Sequence, residues 1–272
     1  MITLKESVTG AVRILVDTLT CADPEGATTG FARLDGLTRG MRKGSLTVLT
    51  SLPGLGKTAF ALNAANDLTG RTPATPVLYC SSLSHTELAF RLLSIASGED
   101  CSYDGDLGAG GMTKLTETVQ AISDRPLCFA DSRTVDEAFF KAVAKLQRKN
   151  RFGVLIVDPV RPEHLAGLKK LARDLNVPIL ALLTVGRRNA PIPELDMADA
   201  VIDLHRDRIA AKSVPGTAAM DFIVSRNRSG MCGTCRMRFT PRTMRFEEEE
   251  DAAEAEENFD RQMWNGKIAT TR

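Results

Sequence analysis

Apolar residues in this chain gather into short runs between residues 46 and 183, and the stretches between those runs carry apolar positions at helical spacing. The runs predict strands at residues 46–50, 76–81, 127–131, 153–158 and 177–183. The intervening pattern predicts helices at 59–68, 87–97, 113–123, 135–149 and 164–175, with the glycines of 105–111 marking a loop. Short apolar strands alternating with helices imply an α/β fold, a mainly parallel sheet with helices on both faces. The pattern changes after residue 200. Residues 200–204, 218–225 and 234–239 read as antiparallel strands, which predicts an antiparallel C-terminal extension, and Arg236-Met237-Arg238-Phe239 alternates polar with apolar. Ahead of the alternating region, Val8, Val12, Ile14, Leu15 and Leu19 give residues 5–19 an amphipathic helical pattern, and residues 21–26 read as a linker. Such a helix needs a neighbouring subunit or its own domain to bury its stripe.

Composition narrows the class without naming a function. The chain has 272 residues, 43% hydrophobic and 25% charged, ordinary values for a globular protein of one large or two small domains. It lacks any run of about 18 apolar residues, so no membrane span is expected. The start of the sequence has no signal-peptide pattern, and six scattered cysteines fit reduced thiols in a cytoplasmic setting. Cys232 and Cys235 form a lone CxxC in what reads as a β-hairpin, which favours a structural role over zinc or redox chemistry. The histidines, His85, His164 and His205, are too dispersed for a metal cluster.

Net charge is +1 but uneven, because nine acids fall between Glu247 and Asp260. Without residues 247–272 the chain keeps 32 bases against 25 acids, so a basic body precedes an acidic tail. A basic body suits a polyanionic partner. The tail is expected to be disordered and solvated, or to fold back and compete with nucleic acid.

The most specific chemistry lies at Ser51-Leu52-Pro53-Gly54-Leu55-Gly56-Lys57-Thr58, between the strand at 46–50 and the helix opening at Ala59. Strand, glycine-bearing loop, Gly-Lys-Thr and helix is the layout of a Walker A phosphate-binding loop. Backbone N–H groups of the loop and the positive end of the helix would wrap the phosphates of ATP. Lys57 would reach the β- and γ-phosphates and Thr58 would hold Mg²⁺. The first position is Ser51 where the motif has glycine. Asp158, closing an apolar strand, has the place of a Walker B carboxylate and would share the Mg²⁺. A chance Gly-Lys-Thr in a surface turn is the competing explanation, and both flanks weigh against it.

These motifs, with Thr29-Gly30 and Leu34-Asp35-Gly36 before them and Ser81-Ser82-Leu83, Arg91-Leu92-Leu93, Pro126–Asp131, Val154–Asp158 and Ser225-Arg226-Asn227-Arg228 after them, resemble the RecA-like motor domain of DnaB-type replicative helicases. The resemblance runs from about residue 28 to 246, and it rests on order and spacing together. It divides the chain into a linker helix and linker (1–26), a RecA-like P-loop NTPase domain (27–246) and the acidic tail (247–272). The family's N-terminal collar domain is expected to be missing. The resemblance implies a homo-oligomer, usually a hexameric ring, with ATP bound between neighbours. It also implies action on single-stranded DNA and dealings with a loader or replication protein. Arg226 and Arg228 fall where the family places basic residues that reach the neighbour's γ-phosphate, and the N-terminal helix resembles the family's linker helix, which docks on the adjacent subunit.

Three departures bear on activity. Ser84 stands where the family has a catalytic glutamate, and Glu87 is the nearest carboxylate that could substitute. Thr184 stands where the family has a glutamine that senses the γ-phosphate. The stretch from Arg187 to Asp199, where the family forms a longer DNA-binding pore loop, is short. Arg187 and Arg188 remain there, and with Lys145, Arg148 and Lys149 they are the visible candidates for DNA contact. The leading expectation is an ATP-dependent DNA helicase or translocase of replication. An alternative is a DnaB-like nucleotide-binding assembly or recruitment protein with impaired hydrolysis. A weaker one is a RadA- or KaiC-like recombination or signalling ATPase.

Overall fold

The computed structural model describes residues 26–71, 75–102, 105, 107–130, 134–187, 191–206 and 215–249. The helix expected at residues 5–19, Arg188 and the tail from residue 250 onward lie outside the described residues.

A nine-stranded sheet organises the chain, with β3 (Leu46–Ser51) paired in parallel to β7 (Ile179–Thr184) on one side and to β8 (Ala200–Arg206) on the other. Beyond β7 follow β6 (Val154–Val160), β4 (Pro76–Cys80) and the edge strand β5 (Cys128–Ala130), all parallel. Beyond β8 the sheet turns antiparallel through β9 (Ala218–Asn227), β10 (Gly233–Thr240) and β11 (Arg245–Glu248). A separate two-stranded ribbon joins β1 (Gly26–Ala27) and β2 (Met41–Arg42). The mainly parallel sheet with an antiparallel C-terminal part is the architecture the hydrophobic pattern predicts.

Period-two alternation divides the core between the two faces. Leu49, Val154, Ile156, Leu180 and Leu182 point to one face, under α1 (Ala32–Thr38), α2 (Lys57–Arg71) and α3 (His85–Ser97). Val48, Leu155, Val157, Ala181 and Leu183 point to the other, under α5 (Glu137–Asn150) and α6 (Leu165–Leu175). Toward the antiparallel part the core lies mainly on the first face. Leu204, Phe222, Met237 and Phe239 join that core, while Asp203, Asp221 and Arg236 occupy the opposite side.

Three local features differ from the sequence expectation. The glycine-rich segment expected to be a loop to residue 111 becomes helical at Gly108, opening α4 (Gly108–Ile122). Each glycine costs a helix about 1 kcal/mol, but Gly111 is buried, and a Cβ there would come within 2.9 Å of Leu107 Cβ. Gly110 has φ 91°, which glycine adopts without strain. The closing strand runs to Glu248, so Glu247 and Glu248 pair in the sheet although the acidic run places them in the tail. Finally, α1 was not legible as a helix. Its N-cap residue Phe31 makes no side-chain cap, and the Glu248 carboxylate supplies one by accepting from Arg33 N at 2.8 Å.

Cys232 is exposed in the β9–β10 turn and Cys235 is buried in the core. The two side chains therefore face different surroundings, as the structural reading of that pair expects.

Candidate nucleotide site

The loop after β3 turns through Gly54 (φ 74°) and Gly56 (φ 90°) into α2, so the first turn of the helix opens at the carboxyl ends of the parallel strands. Gly56 is required for space as well as for its dihedral. A Cβ there would lie 3.2 Å from the Phe246 ring and 3.4 Å from Phe239, two rings stacked 4.4 Å apart beneath the loop. Asn63 of α2 ties this support down, donating to Met244 O at 2.8 Å and accepting from Phe246 N at 3.3 Å.

A cleft of about 510 Å³ opens above the loop, and Pro53, Gly54, Gly56, Lys57, Thr58, Ala59 and Asp158 all line it. Ser51 lies buried below, and its hydroxyl accepts a hydrogen bond from Lys57 Nζ at 2.9 Å. The departure from glycine at the first motif position therefore gives the ammonium a partner inside the chain. Leu55 turns away, to a neighbouring cavity shared with Arg206 and Met220.

Thr58 Oγ1 donates to Asp158 Oδ2 at 2.5 Å, bringing a hydroxyl and a carboxylate side by side at the floor of the cleft. Two hard oxygen donors beside a phosphate loop fit Mg²⁺, which keeps several waters and few protein ligands. Asp158 is buried, and burial raises its carboxyl above the ordinary value against the opposing pull of the Thr58 hydrogen bond and the charges of Lys57 and Arg91. Burial lowers the Lys57 ammonium, and the Asp158 charge pushes it back up. Both groups lose water to sit here, an arrangement that a bound metal and phosphate would repay.

Thr184 ends β7, which lies between β3 and β6, and it lines the cleft in register with Ser51. The cleft includes groups that the sequence did not single out as site residues. Arg91 of α3 and Ser82 reach it from one side, and Phe239, Pro241 and Met244 form an apolar wall on the other. Arg91 follows Glu87 by one helical turn, a spacing visible in the sequence. The wall comes from the end of β10 and the turn that follows it, and has no local signal.

Ser84 and Glu87 have another task. Ser84 is the N-cap of α3, accepting from Glu87 N at 3.2 Å, and the Glu87 carboxylate accepts from Ser84 N at 2.7 Å and Ser84 Oγ at 2.8 Å. This is a reciprocal capping box. Glu87 does not line the cleft, and Asp158 is the one carboxylate among the described residues that does.

Arg226 and Arg228 sit at the far end of the sheet. Arg226 pairs in register with Val201 near the start of β8, whereas the loop of residues 52–56 follows the end of β3. At about 3.3 Å per residue the separation is on the order of 15 Å, so neither arginine serves the cleft of its own chain. Arg226 forms an ion pair with Asp196, and Arg228 donates to Asp196 O at 2.8 Å. Arg187 is exposed just beyond β7, while Lys145, Arg148 and Lys149 are on α5, which ends at the opposite edge beside the start of β6. The fold does not bring these two basic groups together.

Comparison with known proteins places this geometry. Replicative DNA helicase DnaB of Leifsonia xyli is 27% identical over 88% of this chain and 60% of its own length. The DnaB protein of Geobacillus stearothermophilus is 25% identical over 81% of this chain and 56% of its own. The chain thus spans somewhat over half the length of these relatives. The solved ATPase domain of G40P superposes with a TM-score of 0.77 at 21% identity, covering 91% of this chain and 99% of that domain, and so shares its fold. The sequence model of the DnaB-like helicase C-terminal domain matches residues 26–161 and 163–248. By that match the chain belongs to the DnaB-like helicase C-terminal domain family.

Proposed function

We propose that this chain is the ATP-driven motor of a DnaB-like ring, working on single-stranded DNA as a helicase or translocase in replication. The observation that carries the reading is the division of the site. Lys57, Thr58 and Asp158 converge on one cleft, while Arg226 and Arg228 stand at the far end of the same sheet. With Arg226 and Arg228 at the other end of the subunit, a second copy would bring them to the site. In such a ring the backbone of the loop and Lys57 hold the phosphates. Thr58 and Asp158 hold Mg²⁺, which supplies charge neutralisation when bound. Arg226 and Arg228 reach the neighbour's γ-phosphate, where a cation supplied in trans stabilises transition-state charge. Arg187, exposed just beyond β7, is the DNA-contact candidate carried forward among the described residues.

A specific observation bears on the rate. Ser84 and Glu87 are committed to each other as a helix cap, and the cleft is lined by no carboxylate besides Asp158 among the described residues. General-base assistance contributes roughly 10²–10⁴-fold, so turnover is expected to be slow unless a partner subunit contributes the base. At the limit of no turnover, the same site would serve an ATP-dependent assembly or recruitment protein.

Binding of a fluorescent ATP analogue with Mg²⁺ tests the site itself. Lys57→Ala is expected to abolish binding with the fold intact by circular dichroism. Unchanged affinity in that variant would remove the phosphate-loop assignment.

A further inference from the structure

The shortened segment between Arg187 and Asp199 is not idle. Its 3₁₀ turn, Pro193–Met197, stands against the end of β9, where the two arginines emerge. Asp196 engages both, its carboxylate pairing with Arg226 and its carbonyl oxygen accepting from Arg228 at 2.8 Å. Asp199, three residues on, fixes the backbone beneath them: Arg228 N donates to Asp199 O at 2.8 Å. The Asp199 carboxylate is in turn held by Lys169 Nζ at 2.5 Å and Leu46 N at 2.8 Å, with the Arg228 guanidinium 3.9 Å away.

The two acids differ in what they can give up. The Asp199 side chain is 18% exposed and carries a network joining β3, α6 and β8, so it belongs to the framework. The Asp196 side chain is 74% exposed and pairs only with the Arg226 guanidinium among the described residues, so it can part from its partner without leaving a buried charge behind. A carboxylate offers a guanidinium two acceptor oxygens in the geometry that a phosphate also offers.

We propose that Asp196 is a positioning residue that stands in for the neighbour's phosphate. It parks Arg226 on its own chain and must be outcompeted before the arginine engages nucleotide across a subunit boundary, so it sets the ATP concentration at which copies of this chain join. This rests on the reading of Arg226 and Arg228 as groups that act in trans. The exchange is weak by design of the geometry: an exposed pair of this kind shifts an equilibrium by about two- to fivefold.

The test uses the full chain with Mg²⁺ and a slowly hydrolysed ATP analogue, following assembly by sedimentation. Asp196→Asn is expected to lower the nucleotide concentration for half-maximal assembly by about two- to fivefold, and Asp196→Glu to restore it. In an Arg226→Ala background, which itself raises that concentration, Asp196→Asn is expected to have no further effect, a coupling that a general structural role would not produce. Nucleotide affinity of the dilute, unassembled chain is expected to stay unchanged, since Asp196 lies at the far end of the sheet. If Arg226→Ala weakens assembly but Asp196→Asn leaves it unchanged or weakens it too, the parking role is wrong and the trans reading survives. If Arg226→Ala leaves assembly unaffected, the trans reading fails and the parking role with it.

Discussion

Ser51 and Ser84 both stand where the family pattern leads one to expect something else, and each has acquired a partner. Ser51 accepts from Lys57 Nζ at 2.9 Å, giving a buried ammonium a hydrogen bond before any phosphate arrives. Ser84 caps α3 and is bound in return by Glu87. The consequence for Glu87 can be measured. Its hydrogen bonds from Ser84 hold the carboxyl below the ordinary glutamate value of 4.5. A depressed carboxyl adds stability that is fully present above the unfolded value and is lost as pH falls through the folded one. An NMR titration is expected to find Glu87 below 4.5 in the parent chain and closer to it in Ser84→Ala. Equal titration in the two proteins would mean that the Ser84 hydroxyl does not help hold the carboxylate. The sequence carried this information. Ser84-His85-Thr86-Glu87 is a capping-box pattern ahead of an apolar helical stretch, but comparison with a family motif draws attention to the missing carboxylate instead.

At the scale of elements, the parallel strands and α2 were legible because solid apolar runs and helical spacing are local signals. The phosphate loop was legible because its residue types are dictated by backbone geometry and phosphate chemistry. What escaped depends on distant partners. Helix α1 lacks a cap of its own and takes one from Glu248, 215 positions along the chain from Arg33. The apolar wall of the cleft comes from a turn whose neighbours, Asn63 and Gly56, lie far off in sequence. Two unfolding measurements follow. Glu248→Ala is expected to cost about 1 kcal/mol, as loss of a helix cap does, whereas the exposed neighbour Glu247→Ala should stay within about 0.5 kcal/mol. Phe246→Ala removes a buried ring stacked on Phe239 and packed against Phe60 and Phe222. It is expected to cost about 3–5 kcal/mol in urea unfolding and to weaken nucleotide binding, because Gly56 rests on that ring. Full destabilisation with unaltered affinity would show that the aromatic pair supports the fold without shaping the loop.

Lys57, Thr58 and Asp158 line a cleft at one end of the sheet, the proposed phosphate-binding half-site, and Asp196 engages Arg226 and Arg228 at the other. That polarity is what a head-to-tail ring needs, since a heterologous contact repeated around an axis sets one end of each subunit against the other end of the next. It was legible in outline from the order of motifs, but sequence gave no hint that Asp196 would already occupy Arg226. Among the described residues no helix is long and apolar enough to cross a membrane. Steady-state ATP turnover by the full chain, measured with and without single-stranded DNA, tests the motor most directly. The expected result is slow turnover that rises when DNA is added and disappears in Lys57→Ala. Tight Mg²⁺–ATP binding with no turnover, whether or not DNA is present, would contradict a motor and leave an ATP-dependent assembly protein in its place.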